Sequence, residues 1–171
     1  MNSLKYLDND LLLDIGRIAA LRGDLRLSLL SAGDALLTTR LGDQGIARLM
    51  MAGRDLPEIC QTIKTLAQVR GASSEAVKQL AQIAEEFRDD FESATAIANG
   101  SWTYLGGDVE KYYGLFLGEA FRNGDLEPQW RQVTVEDLRR LVVRLEKVSE
   151  ALRPFYWVMR AATSKSNDQE A

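Results

Sequence analysis

The sequence predicts a mainly all-α fold, a helical bundle of four to five helices with a small aromatic-rich hairpin or irregular insert before the last helix. Three observations predict it. Apolar residues recur at steps of three and four over most of the chain, the period of one helix face. The connections between these stretches are short, as in helical bundles. One segment, 101–133, breaks the period: it holds Trp102, Tyr104, Tyr112, Tyr113, Phe116, Phe121 and Trp130, punctuated by Gly106-Gly107, Gly114, Gly118 and Asn123-Gly124.

The first helix is expected over 8–37. Leu11, Ile15, Ile18, Leu25, Leu29, Ala32 and Leu36 form its stripe, interrupted at Arg22. Gly16, Gly23 and Gly33 lie inside it, each costing about 1 kcal/mol against alanine. Close approach of another helix would offset that cost, and a break near Gly23 is the alternative. Leu41, Gly42 and Asp43 read as a turn, with Asp43 as N-cap of a short helix whose Ile46, Leu49 and Met50 face inward and which stops at Gly53. Asp55 and Pro57 open the next helix, since proline is tolerated in a first turn. Its stripe is Ile59, Cys60, Ile63, Leu66 and Ala67, and Gly71 ends it.

Ser73 or Ser74 caps a helix read as continuous to Ala98, with Val77, Leu80, Ala84, Phe87, Phe91, Ala94 and Ala98 inward and Glu85, Glu86, Arg88, Asp89 and Asp90 outward. In the aromatic segment Lys111, Tyr113, Leu115 and Leu117 alternate as in a strand, and Asn123-Gly124 is a tight-turn signal. A hairpin or irregular arm is the reading, and a short helix over 109–121 competes with it. Thr134 and Asp137 resemble a capping box, with Asp in place of Glu or Gln. The last helix carries Leu138, Leu141, Leu145, Val148, Leu152, Phe155, Met159 and Ala162 inward, with Pro154 expected to kink it. Residues 1–163 are expected to form one domain and 164–171 a flexible polar tail.

Composition narrows the chemistry. The 171 residues carry a net charge of −4, which argues against a broad basic surface for nucleic acid. There is no histidine, so Ser-His-Asp and Cys-His catalysis and histidine-bearing metal sites are excluded within this chain. The single cysteine, Cys60, forms neither an internal disulfide nor a cysteine-rich zinc site. It lies on an apolar stripe and reads as core. No apolar run approaches the roughly 20 residues of a membrane span, and residues 1–10 lack the pattern of a signal peptide. The expectation is a cytoplasmic protein with no membrane contact, no metal and no cofactor.

The helix ending at Ala98 runs into Ala96-Ile97-Ala98-Asn99-Gly100-Ser101-Trp102. Here the chain resembles the HEPN superfamily (higher eukaryotes and prokaryotes nucleotide-binding). Many members carry an Arg-Asn pair, two variable residues, then Ala-His-Gly, a variable residue and Trp. Ala98, Gly100 and Trp102 match. Asn99 stands where the family histidine would be, and Ala94 and Thr95 stand where the Arg-Asn pair would be. The long first helix with Ile15-Gly16-Arg17-Ile18, the aromatic insert and the capped final helix also fit. The resemblance implies a nuclease whose cleaving pair is lost. An amide such as Asn99 donates and accepts hydrogen bonds but does not exchange a proton near neutral pH. Without the family, Asn99-Gly100 is an ordinary helix stop and Trp102 covers the end of the core.

Other clusters have plain readings. Glu85, Glu86, Asp89, Asp90 and Glu92 read as a solvated face. Arg17, Arg22, Arg26 and Arg40 near the first helix, and Arg139, Arg140, Arg144, Lys147, Arg153 and Arg160 near the last, are mixed with acids and read as surface ion pairs. Phe155, Tyr156 and Trp157 follow Pro154. Three successive aromatics do not all face one core, so at least one is expected to be exposed or to meet a partner.

These readings lean against an enzyme. The leading expectation is a non-catalytic HEPN-like interaction protein, a homodimer or the binder of another protein, with Asn99, Trp102, Tyr156 and Trp157 as binding residues. The family context implies prokaryotic toxin–antitoxin or antiphage systems. One alternative is a metal-independent RNase or nucleotide-binding enzyme using substitutes, with Arg88, Asn99 and Tyr104 as catalytic candidates acting on RNA or a nucleotide. Another is an unrelated helical phage or plasmid accessory protein that binds a host factor.

Overall fold

The structure, a computed structural model, describes residues 8–37, 45–106, 112–122, 125–155, 157–159 and 161. Among these the chain is mainly helical, with one small antiparallel sheet. The order is α1 (Asn9–Leu37), α2 (Ile46–Met50), α3 (Leu56–Val69), α4 (Ser74–Glu86), α5 (Arg88–Asn99), β1 (Ser101–Gly106), β2 (Tyr112–Arg122), β3 (Asp125–Thr134) and α6 (Val135–Leu152). Contacts group into two compact units. The sheet unit comprises Met1–Arg22 and Glu92–Leu145, and the helical unit Gly23–Phe91 and Glu146–Ala171.

In the helical unit, α1 runs unbroken through Gly23. Leu25, Leu29, Ala32 and Leu36 are buried along its stripe. The glycines differ in purpose. A Cβ on Gly23 would meet nothing within 4 Å, whereas one on Gly33 would lie 2.8 Å from Met51 Cε and 3.1 Å from Ala47 Cβ. Close approach therefore accounts for Gly33 alone. It also corrects the inward reading of Ile46, Leu49 and Met50. All three are exposed, and the buried pair of α2 is Ala47 and Met51, one turn apart, with small Ala47 set against Gly33. The helix is entered through Gly45 with φ 95, a left-handed conformation suited to glycine; Asp43, the expected cap, lies outside the described residues. Asp34 of α1 supplies the missing acceptor, its carboxylate taking the Ala47 N–H at 2.9 Å.

The start of α3 follows its sequence. Asp55 accepts from Glu58 N and Glu58 accepts from Asp55 N, a full capping box with Pro57 in the first turn. Leu56, Ile59, Cys60, Ile63 and Ala67 are buried, while Leu66 is half-buried. Gly71 follows at φ 70, and Ser73 caps α4 by accepting from Ala76 N. The continuous helix expected to Ala98 is instead two. Phe87, at φ −110 and ψ 15, ends α4, and α5 begins at Arg88. Hydrogen bonds Phe87 N to Ile83 O and Phe91 N to Phe87 O bridge the joint. The joint carries six helices against the four to five expected, and past it Asp90 is buried rather than outward. The end of α6 is interrupted at Pro154, where a kink or local loosening of the helix is expected. Regular helix stops at Leu152, before Pro154, and helical backbone resumes at Phe155 and 157–159. Phe155 and Met159 stay buried.

In the sheet unit, Leu11 and Ile18 of α1, Ala94 and Ile97 of α5, Tyr113 and Leu115 of β2, and Leu138, Leu141, Val142 and Leu145 of α6 are buried. Arg139 of α6 reaches Asp10 at 3.2 Å and Asp14 at 3.5 Å, one turn apart on α1; Asp14 is 4% exposed. The acid-for-acid capping box holds: Asp137 N donates to Thr134 Oγ1, and Thr134 N donates to Asp137 at 2.9 Å. Burial pulls the Asp137 carboxyl upward, but the bonds from Thr134 and the Arg140 guanidinium outweigh it and leave the pKa below its ordinary value. The strand reading of 112–121 replaces the helical one, and β1 is a third strand that the expected hairpin did not include. Lys111, Asn123-Gly124, Ala162 and residues 164–171 lie outside the described residues.

Candidate interaction surface

The three strands lie in the order β1-β2-β3, both neighbours antiparallel. Directly opposed residues share a side of a sheet. Trp102 lies opposite Leu115 and Tyr104 opposite Tyr113, while Val133 and Arg131 face Tyr113 and Leu115 from β3. Tyr113, Leu115 and Val133 are buried, so this is the core side. Towards the β1 edge, Trp102 is half-buried and Tyr104 exposed, its ring 5.7 Å from that of Tyr113. The Trp102 Nε1–H is buried and has no hydrogen-bond partner among the described residues.

The other side carries Thr103, Gly114, Phe116, Trp130 and Gln132. Gly114 is its floor. A Cβ there would meet Thr103 Cγ2 at 3.1 Å, Trp130 Cε3 at 3.2 Å and Leu105 Cδ2 at 3.4 Å. The missing side chain lets these groups close over the central strand. Phe116 and Trp130 pack with ring centroids 5.2 Å apart. Leu105 is 56% exposed and Trp130 50%, and Leu117, at the irregularity between Phe116 and Gly118, is 48% exposed. The outer side is thus apolar and aromatic. It offers packing area and ring faces, not acid–base groups.

The motif residues have other surroundings. Ala94 has zero exposure and is part of the core. Asn99 is exposed at the end of α5. Thr95, one turn before Asn99, accepts from Arg22 Nε at 3.2 Å, and Ser93 accepts from Arg131 at 3.2 Å. Sequence reading treated Arg22 as an interruption of a stripe and passed over Arg131. Asn99, Trp102 and Tyr104 belong to the sheet unit; Arg88 belongs to the helical unit. There Arg88 is held by Glu85 at 2.7 Å, in a groove of about 780 Å³ between α3 and α4 that also carries Arg54, Lys64 and Glu58. Opposite charges offset one another along that groove. Trp157 is 65% exposed and Phe155 buried, as a three-aromatic run requires; Tyr156 lies outside the described residues.

Cys60 is buried, and burial first, then the charge of Asp55, pushes its thiol up to about 12. We expect a thiol reagent at pH 8 to leave the native chain unlabelled and to label it in urea. The unfolded thiol ionises near its ordinary 9.0 while the folded one stays neutral. Its contribution to stability is therefore full below pH 9 and lost as pH rises towards 12, which urea titrations across that range would measure. Among the described residues, no group of three or more His, Cys, Asp or Glu could hold a metal ion, and no helix is long and apolar enough to cross a membrane. Compared with family models, with curated proteins and with solved structures, the chain matches none.

Proposed function

We propose that the chain is a non-catalytic interaction protein of HEPN-like helical type that acts through protein contacts as a homodimer. The observation that carries this reading is the outer side of the sheet, where Leu105 and Trp130 are half or more exposed over the Gly114 floor. Aromatic residues of this kind anchor protein interfaces. The fate of the motif supports the same reading: Ala94 serves packing, and Asn99 brings an amide where cleavage needs a proton carrier. On the HEPN resemblance, the setting is a prokaryotic toxin–antitoxin or antiphage system.

Light scattering coupled to size exclusion tests the reading on the full chain. A mass about twice the 19.1 kDa of one chain is expected. In parallel, RNA incubated with the wild type and with Asn99→Ala and Arg88→Ala variants is expected to stay intact in all three. A monomer at all concentrations would remove the homodimer. Specific cleavage lost in a folded Asn99→Ala variant would remove the non-catalytic assignment.

A further inference from the structure

We propose that β1 is a self-pairing edge, onto which the β1 strand of a second copy adds antiparallel about a two-fold axis at Thr103. The two three-stranded sheets then become one of six strands. The inference rests on the homodimer reading above and adds to it a contact at the strand edge, beside the outer side of the sheet.

The two outer strands of the sheet differ. Among the described residues β1 has β2 on one side and no strand on the other, and β3 is the opposite edge. Strand edges expose unpaired N–H and C=O groups, and proteins blunt them with charge or proline. The β3 edge carries Asp125, Glu127, Pro128 and Arg131. The β1 edge reads Ser-Trp-Thr-Tyr-Leu-Gly, with no charge and no proline, and is rich in residues that favour strands. Of the two edges it is the one whose own residues carry no such protection.

Charge selects the occupant. An uncharged strand offers nothing to a basic or acidic peptide, while a second copy meets it without a like-charge clash. Antiparallel self-pairing is also isologous: each copy uses its own edge once, so assembly closes at two.

The sides of the sheet limit the register. Trp102 and Tyr104 lie on the core side, Thr103 on the outer side. Opposed residues must share a side, so a one-residue shift would put one copy's core side against the other's outer side. An axis at Thr103 sets Trp102 opposite the second copy's Tyr104 and Ser101 opposite its Leu105. It keeps the three central pairs within the regular stretch, before the irregularity between Tyr104 and Gly106.

A charge swap at Thr103 tests this, read by sedimentation equilibrium on full-length chains with circular dichroism as the check on folding. Thr103→Lys and Thr103→Glu each set like charges opposite one another, and each is expected to weaken the dimer about fivefold or more. An equimolar mixture is expected to return to wild-type affinity, because Lys then faces Glu. Trp157→Ala, at an exposed aromatic of the helical unit, is expected to leave the dimer unchanged. A wild-type dimer that both Thr103 variants leave intact, or that the mixture does not restore, or that only Trp157→Ala dissociates, would overturn the β1 edge while the homodimer stands. A wild-type monomer would overturn the homodimer reading and, with it, this inference.

Discussion

Ala94→Arg is expected to unfold much of the protein, whereas Asn99→His, five residues on, is expected to change stability by no more than about 0.5 kcal/mol. Together these changes would install the arginine and histidine of the pattern that the segment resembles, yet the two positions are physically unlike. Ala94 has zero exposure, and Asn99 is exposed at the last residue of α5. A guanidinium at position 94 would have to leave water and enter a packed core. The penalty for an unpaired buried ion is several kcal/mol even after relaxation. Total stability of a domain is about 5–15 kcal/mol. Urea unfolding followed by circular dichroism would measure both variants. A folded Ala94→Arg chain with wild-type stability would mean that position 94 opens to solvent. The double variant is expected to leave RNA intact, since an arginine forced into the core does not reach a phosphate.

Gly100→Ala is expected to cost about 2–3 kcal/mol and to lower Tm by roughly 5–10 °C. Gly100 joins α5 to β1. A Cβ there would overlap the Leu115 side chain and lie 2.6 Å from the Ala96 carbonyl oxygen. Leu115 is itself buried at 1% exposure, and the Ala96 oxygen belongs to a helix turn, so neither has room to retreat. Gly23→Ala provides the contrast in the same thermal scans. Its Cβ meets nothing within 4 Å, and the gain in helix propensity is about 1 kcal/mol. Gly100 therefore has a local cause in this chain: the Leu115 side chain of the central strand β2 packs against the end of α5.

Legibility in the sequence followed the range of the interaction. The α1 stripe, the start of α3 at Asp55 and Pro57, and the Thr134–Asp137 box rest on contacts three or four residues apart, and each is where its spacing put it. The joint at Phe87 was hidden because neither glycine nor proline marks it. The inward face of α2 was misread because size, not hydropathy, decides it. Against Gly33 sit Ala47 and the tip of Met51, while Leu49 is left 81% exposed. The candidate surface was the least legible part. The aromatic content of 101–133 was plain, but its sides depend on Trp130 pairing with Phe116 and Thr103 with Gly114, registers that no local spacing encodes. For the same reason Arg22 and Arg131 went unnoticed as partners of Thr95 and Ser93.

The boundary between the two compact units falls inside helices, at Arg22/Gly23 in α1, Phe91/Glu92 in α5 and Leu145/Glu146 in α6. Each unit is thus made of two stretches of chain, and no single cut releases either one whole. During synthesis, which proceeds from the N-terminus at about 5–20 residues per second, the sheet unit has its last segment once Leu145 has emerged. The helical unit, most of it made earlier, must wait for Glu146 and beyond. Residues 23–91 are therefore made before the part of α6 from Glu146 on, with its buried Val148 and Leu152, that completes their unit.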